Sequence, residues 1–245
     1  MSAWEINVSE FVKTIDFSLK CAKKNVHELD SRLFAIALTH SSYAVDNNLG
    51  YLNSNERLEF YGDSVLKLSC SQFLYELYPD ADEGVLSSYR AVLVSDLFLA
   101  KYVKEINLDK FIFVSDRPDL KTDKAYSTIC ACAFESVLGA FYIEVGIEPV
   151  YEFLKKIFER YLPYVKENIL RLNAKATLQE YTQGQNKMLP VYSLVSELGK
   201  EHNKVFLVEV SYQNKVVGQG RGKSKKEAEQ AAAYDACIKL GVINE

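Results

Sequence analysis

Three carboxylates stand close together in the sequence, at Glu56, Glu59 and Asp63. In a helix these positions are i, i+3 and i+7, so all three side chains project from one face. Like charges stacked in this way cost a helix roughly 0.2–0.5 kcal/mol per pair, and Gly62 permits another segment to approach closely. The sequence therefore predicts either a solvated acidic face, the commoner outcome, or a site for a hard metal ion, which prefers carboxylate oxygens.

The helix that carries these acids is expected to run from Asn55, as N-cap, towards Leu77. The apolar positions expected to face a core are Leu58, Phe60, Val65, Leu66 and Leu68. A second helix, strongly apolar, is predicted over residues 127–144, with Glu135 as the acid in its middle. A carboxylate in such a segment lies at an exposed edge or is held by a partner. Cys132 precedes it by three residues and shares its face.

The periodicity of the chain changes near Asn173. Before it, helical patterns are also predicted over residues 8–43, 85–106 and 149–172. After it, a short helix (176–183) precedes three strands (191–196, 205–212 and 215–218) and a final helix (225–240). Ser224 and Glu227 form a capping box for that last helix. We therefore expect a multidomain protein, with an all-α domain at 1–170 followed by an α+β (α-β-β-β-α) domain at 173–242.

The composition of the 245-residue chain is that of a globular protein, with 48% hydrophobic and 25% charged residues. Its net charge of −4 excludes coating of nucleic acid by bulk charge, but residues 173–245 carry ten basic and eight acidic side chains. A polyanion would therefore contact the C-terminal part. Five scattered cysteines argue against a disulfide framework. Without a visible signal peptide or long apolar run, we expect a cytoplasmic protein that contacts no membrane.

Taken in order, the motifs of this chain resemble the ribonuclease III family. Residues 55–63 (NERLEFYGD) resemble its signature, with Tyr61 where Leu is common, and residues 37–43 (ALTHSSY) resemble its upstream segment. Residues 134–142 (FESVLGAFY) resemble its second catalytic segment. The C-terminal region resembles a double-stranded-RNA-binding domain at residues 178–180, 199–202 and 222–232. The resemblance covers nearly the whole chain.

The resemblance implies a homodimeric endonuclease that cleaves double-stranded RNA with Mg²⁺, Mn²⁺ being a possible substitute, in the processing of ribosomal and other structured RNAs. The metal would be held by Glu59, Asp63 and Glu135, and Glu56 would lie just outside and position water. These four are the expected catalytic residues. Oxygen-bound magnesium suits phosphodiester hydrolysis because it activates water and neutralises charge on the phosphate.

Cys132 departs from the family, which normally has an Asp three residues before the second catalytic Glu. A thiol with an ordinary pKa of about 8.5 is mostly protonated at neutral pH and is a poor magnesium ligand. Three explanations stay open. Cys132 is a small buried residue and water takes the ligand's place, or the site prefers manganese, or the protein is a catalytically impaired double-stranded-RNA-binding protein.

The expected RNA contacts of the C-terminal domain are of two kinds. Gln179, Gln183 and His202 suit the 2′-hydroxyls of the wide minor groove of A-form RNA. Lys223, Lys225 and Lys226, at a helix N-terminus, suit the phosphates beside the major groove. The alternative for these lysines is a solvated basic helix start. We expect His40 to be hydrogen-bonded within the fold, and Phe60 and Tyr61 to make core or dimer contacts.

Overall fold

The computed structural model describes residues 6–19, 24–198 and 204–243 of the chain. It divides into two compact units, Met1–Pro163 and Tyr164–Glu245. Within the described ranges the helices are α1 (Val8–Thr14), α2 (Ser31–Ala37), α3 (Ser41–Asp46), α4 (Glu56–Leu77), α5 (Glu83–Leu93), α6 (Asp96–Glu105), α7 (Asp123–Val145), α8 (Ile147–Leu172), α9 (Ala174–Asn186) and α10 (Lys225–Lys239). The strands are β1 (Val191–Leu198), β2 (Val205–Tyr212) and β3 (Lys215–Gly222). The predicted fold class, a helical domain followed by an α-β-β-β-α domain, is confirmed.

The division between the units falls inside α8, which contains Pro163. The predicted domain bounds, 1–170 and 173–242, stay a prediction about folding units, because the end of α8 extends beyond the division.

The first unit is built around α7, which packs along α4 and α6. Apolar residues cover α7 on all sides, as expected of a helix enclosed by others, and Phe134 and Phe141 are fully buried. Phe17 stacks on Phe141 with ring centroids 3.6 Å apart. By length and composition α7 is apolar enough to cross a membrane, but 61% of that window is buried inside the protein.

The helical patterns predicted over residues 8–43 and 85–106 are divided into shorter helices. The described part of residues 8–43 holds α1, α2 and the start of α3, and residues 85–106 are divided into α5 and α6 at Val94 and Ser95. On α4, Leu58, Val65 and Leu66 are buried as predicted, whereas Phe60 and Leu68 are 79% and 59% exposed. Since each residue turns a helix by about 100°, Phe60 and Leu68 lie opposite Leu58 and Leu66.

The second unit is an antiparallel sheet in the order β1-β2-β3, packed against α9 and α10. Gln213 and Asn214 turn β2 into β3, and both have positive φ, as a two-residue hairpin of matching twist requires. β3 extends beyond the predicted end at residue 218, since Gly218, Gly220 and Gly222 all belong to it. A Cβ on Gly220 would lie 2.5 Å from the Ala231 carbonyl carbon. The backbone of α10 therefore rests directly on this strand.

Candidate functional site

The candidate site is formed where α4 and α7 cross, and two glycines set their separation. A Cβ on Gly62 would lie 2.5 Å from the carbonyl carbon of Glu135, and one on Gly139 would lie 2.6 Å from the carbonyl oxygen of Leu58. The two backbones thus touch without any side chain between them. Because Glu59 and Asp63 flank this contact on α4, and Glu135 lies within it on α7, the crossing brings the predicted acids of both helices together.

The electrostatics of Glu135 show that the acids of the two helices act on one another. The pKa of the half-buried Glu135 carboxyl is raised to about 8, first by burial and then by the negative charges of Asp63, Glu59 and Asp96, while Lys67 opposes the shift. Glu135 therefore holds a proton at neutral pH when no cation is present. Glu135 is not ionised together with its acidic neighbours at neutral pH, because it is half-buried and their negative charges repel one another. A bound cation would relieve this repulsion, so the electrostatics of the cluster favour one.

Asp96 and Lys67 were not predicted to be part of this site. Asp96 begins α6, whose N-terminus meets the start of α7, where the Ser127 hydroxyl donates to the Asp96 carbonyl oxygen at 3.2 Å. Lys67 lies one turn after Asp63 on α4, and its Nζ is 2.7 Å from Asp63 Oδ2. The four-residue spacing of Asp63 and Lys67 on one helix could have predicted their ion pair. No local sequence pattern predicts that Asp96 acts on Glu135.

The Cys132 thiol belongs to the same cluster. Burial raises its pKa, and so do the charge of Glu59, a hydrogen bond with the Glu59 side chain, and the charges of Glu135 and Asp96. The thiol is therefore protonated at neutral pH and offers no anionic sulfur to a metal.

The described parts of the chain hold no group of three His, Cys, Asp or Glu side chains already arranged to bind a metal ion. The chemistry of the donors nevertheless fits a hard divalent cation, since Glu59, Asp63 and Glu135 supply only oxygen. The pKa of Glu135 is raised first by burial and then by the charges of Asp63 and Glu59, which Lys67 offsets only in part. Cys132 does not fit such an ion.

Glu56 lies at the exposed start of α4, and its position is held by the upstream segment of residues 37–43. The backbone N–H of Asn55 donates to the Thr39 carbonyl oxygen at 2.8 Å. Burial lowers the pKa of His40, against the opposing charge of Glu56, and His40 Nδ1 lies 2.8 Å from Ser42 Oγ. The prediction that His40 is hydrogen-bonded is confirmed, and the segment fixes where α4 begins.

The predicted RNA-binding residues that the structure describes are exposed. Gln179 and Gln183 lie one turn apart on α9, while Lys223, Lys225 and Lys226 surround the start of α10. Ser224 caps α10, since its Oγ accepts from the Glu227 N–H at 3.2 Å. The predicted capping box is only half formed, because the Glu227 carboxylate accepts from the Lys223 N–H at 2.8 Å instead of from the N–H of Ser224. Lys225 Nζ is 3.5 Å from Glu197 on β1, so its charge is partly compensated. His202 lies outside the described residues.

Comparisons with known proteins cover both units. A family model described as Ribonuclease-III-like matches residues 30–161, and the Double-stranded RNA binding motif matches residues 174–240. Ribonuclease 3 of Caldanaerobacter subterraneus subsp. tengcongensis is 39% identical over 90% of this chain and 96% of its own length. Ribonuclease 3 of Nitratiruptor sp. is 35% identical over 97% and 99%, respectively. A solved nuclease domain of Ribonuclase III from Campylobacter jejuni is 30% identical, with a TM-score of 0.52, over 64% of this chain and 99% of that one.

Proposed function

The chain belongs to the ribonuclease III family, and from that premise we propose that it is an endoribonuclease that hydrolyses phosphodiester bonds of double-stranded RNA with a bound divalent metal. The observation that carries the proposal is the contact of α4 with α7 at Gly62 and Gly139, which gathers Glu59, Asp63 and Glu135 into one negative cluster. Magnesium is the expected ion, with manganese as a substitute, because all three ligands are oxygens.

Each of the four acids has a proposed role. Glu59, Asp63 and Glu135 would hold the metal, which when bound supplies an activated water and positive charge for the phosphate. Glu135 would give up its proton as it becomes a ligand, since metal ligands must be deprotonated. Glu56, exposed at the start of α4, would position water at the edge of the site.

The second unit would bring the duplex to this site. Exposed Gln179 and Gln183, together with His202, would contact 2′-hydroxyls. Phosphates would be contacted by Lys223, Lys225 and Lys226. The macrodipole of α10 adds to the attraction for phosphate at its N-terminus. Recognition of this kind depends on the shape of A-form RNA, so we expect little sequence preference.

We also propose a homodimer formed through the exposed face of α4. Phe60, Leu68 and Tyr75 are 79%, 59% and 73% exposed, and Leu68 and Tyr75 border a groove of about 350 Å³ between α4 and α5. A monomer seldom leaves large apolar side chains together in water. The solved Campylobacter jejuni nuclease domain is described as having a structurally flexible region involved in dimer formation. The dimer would process ribosomal and other structured RNAs in the cytoplasm.

A second candidate function, a double-stranded-RNA-binding protein with impaired catalysis, is favoured by Cys132. The protonated thiol leaves one position of the cluster without a charged ligand. If a fourth carboxylate is what the site lacks, Cys132→Asp should raise cleavage with magnesium roughly tenfold, which corresponds to about 1.4 kcal/mol of transition-state stabilisation. Equal rates for both proteins across a magnesium titration would exclude this explanation.

The test incubates labelled duplex RNA with the full chain in Mg²⁺, in Mn²⁺ and in EDTA, followed by a denaturing gel. Glu135→Gln, which preserves shape and removes the carboxylate, is the control for catalysis, and single-stranded RNA is the control for substrate. We expect metal-dependent cutting of the duplex alone, abolished in Glu135→Gln. Intact duplex in both metals, with binding retained in a gel-shift assay, would establish the second candidate.

A further inference from the structure

The cluster of acids already contains a cation. Lys67 Nζ lies 2.7 Å from Asp63 Oδ2, and the two residues are four positions apart on α4. The charge of Lys67 also reaches α7, since it acts on the pKa of Glu135 against the effect of Asp63 and Glu59. The ammonium group therefore interacts with carboxylates from both helices.

The position of this ammonium group matters because Asp63 is one of the proposed metal ligands. While Asp63 Oδ2 accepts from Lys67, the ammonium group competes with a divalent ion for the same carboxylate. An ammonium that stays nearby also repels that ion, with an energy that falls inversely with distance. Both effects act in the same direction and weaken binding of the cation.

We propose that Lys67 is a counter-ion built into this site, which pairs with Asp63 in the metal-free protein and competes with a divalent cation for that carboxylate. The inference rests on the proposed function only in placing that cation at Glu59, Asp63 and Glu135. The competition lowers the affinity of the site for that cation.

The test measures Mn²⁺ binding to the full chain, without RNA, from the electron paramagnetic resonance signal of the free ion. Lys67→Met and Lys67→Gln remove the charge, Lys67→Arg keeps it, and Lys67→Glu reverses it. Lys239→Met is a matched control, because Lys239 and Asp235 form an i,i+4 pair at 2.6 Å on α10 with similar exposure, 58% and 34% against 54% and 35% for Lys67 and Asp63.

Removal of the charge should tighten Mn²⁺ binding roughly threefold to thirtyfold, as expected for one unit charge near a divalent ion at a partly exposed site. Lys67→Glu should tighten it further, whereas Lys67→Arg and Lys239→Met should match the parent protein. The circular dichroism of each variant checks that its helices are intact.

Unchanged Mn²⁺ affinity in both neutral variants would overturn the inference. Weaker binding would overturn it as well, since it would mean that Lys67 holds Asp63 ready for the metal. Glu135→Gln separates this result from a failure of the proposed function. If that variant binds Mn²⁺ as tightly as the parent protein, the ion is held elsewhere and the proposed site itself is wrong.

Discussion

Gly62→Ala offers a direct test of how the active site is assembled. The added Cβ would lie 2.5 Å from the Glu135 carbonyl carbon and 2.9 Å from the Gly139 nitrogen. The Glu135 carbonyl oxygen would be closer still. Since carbon atoms pack at about 3.5–4.0 Å, α4 and α7 must separate by at least about 1 Å. Overpacking of this kind costs about 1–3 kcal/mol, against a gain of about 1 kcal/mol from the better helix propensity of alanine. The contact with backbone atoms places the cost at the upper end of its range, so we expect a net loss of about 2 kcal/mol.

The separation should reduce catalysis more than it reduces stability, because a displacement of about 1 Å between catalytic groups can cost about 100-fold in rate. Urea unfolding and cleavage of duplex RNA measure the two effects. Gly84→Ala is the control in the same unit, since its Cβ would meet only the Asp82 side chain at an ordinary 3.4 Å. A Gly62→Ala variant as stable and active as Gly84→Ala would refute the close backbone contact as the device that assembles the site.

Three further predictions concern charge, association and RNA. In EDTA the chain should lose about 1–2 kcal/mol of stability as pH rises from 4.5 towards about 8, because folded Glu135 keeps a proton that the unfolded chain releases. Urea midpoints across this range should show the slope, and Glu135→Gln should reduce it. Phe60→Asp should shift the protein from dimer to monomer in sedimentation, and an unchanged dimer would place the interface elsewhere. Reversing Lys225 and Lys226 to Glu should weaken duplex binding and lower its log–log salt slope by about 2; an unaltered slope would show that neither contacts phosphate.

The sequence predicted the elements of the fold correctly where they depend on a local pattern of apolar and polar residues. The apolar run around Glu135 predicted the buried helix α7, and the alternation after Pro190 predicted the three strands. The sequence predicted the burial of individual side chains less well than it predicted the helices and strands. Phe60 and Leu68 are as hydrophobic as Leu58 and Leu66, and only the packing of α4 against α7 decides which pair is buried. The glycines near the end of β3 were predicted to end the strand. They belong to it because α10 packs directly on them, and nothing nearby in the sequence indicates that contact.

Glu59 and Asp63 act on the pKa of Glu135 from the neighbouring helix, and Glu59 and Glu135 act on that of Cys132. Glu56, in contrast, lies at the exposed start of α4. The roles of these acids as ligands and catalysts remain proposals. Asp96 was missed because it acts through space from the start of α6, a helix whose packing on α7 has no signature in the residues around it.

The sequence by itself determined which groups are available and which share a helix face, because helical periodicity depends only on neighbouring residues. It therefore placed Glu56, Glu59 and Asp63 on one face of one helix and made Cys132 the unusual member of the site. The tertiary structure decided the charge state of that site. The proton on Glu135 depends first on its burial and then on the charges around it. Asp63 and Glu59 act on it because two glycines let α4 and α7 meet backbone to backbone, and Asp96 acts on it from the start of α6.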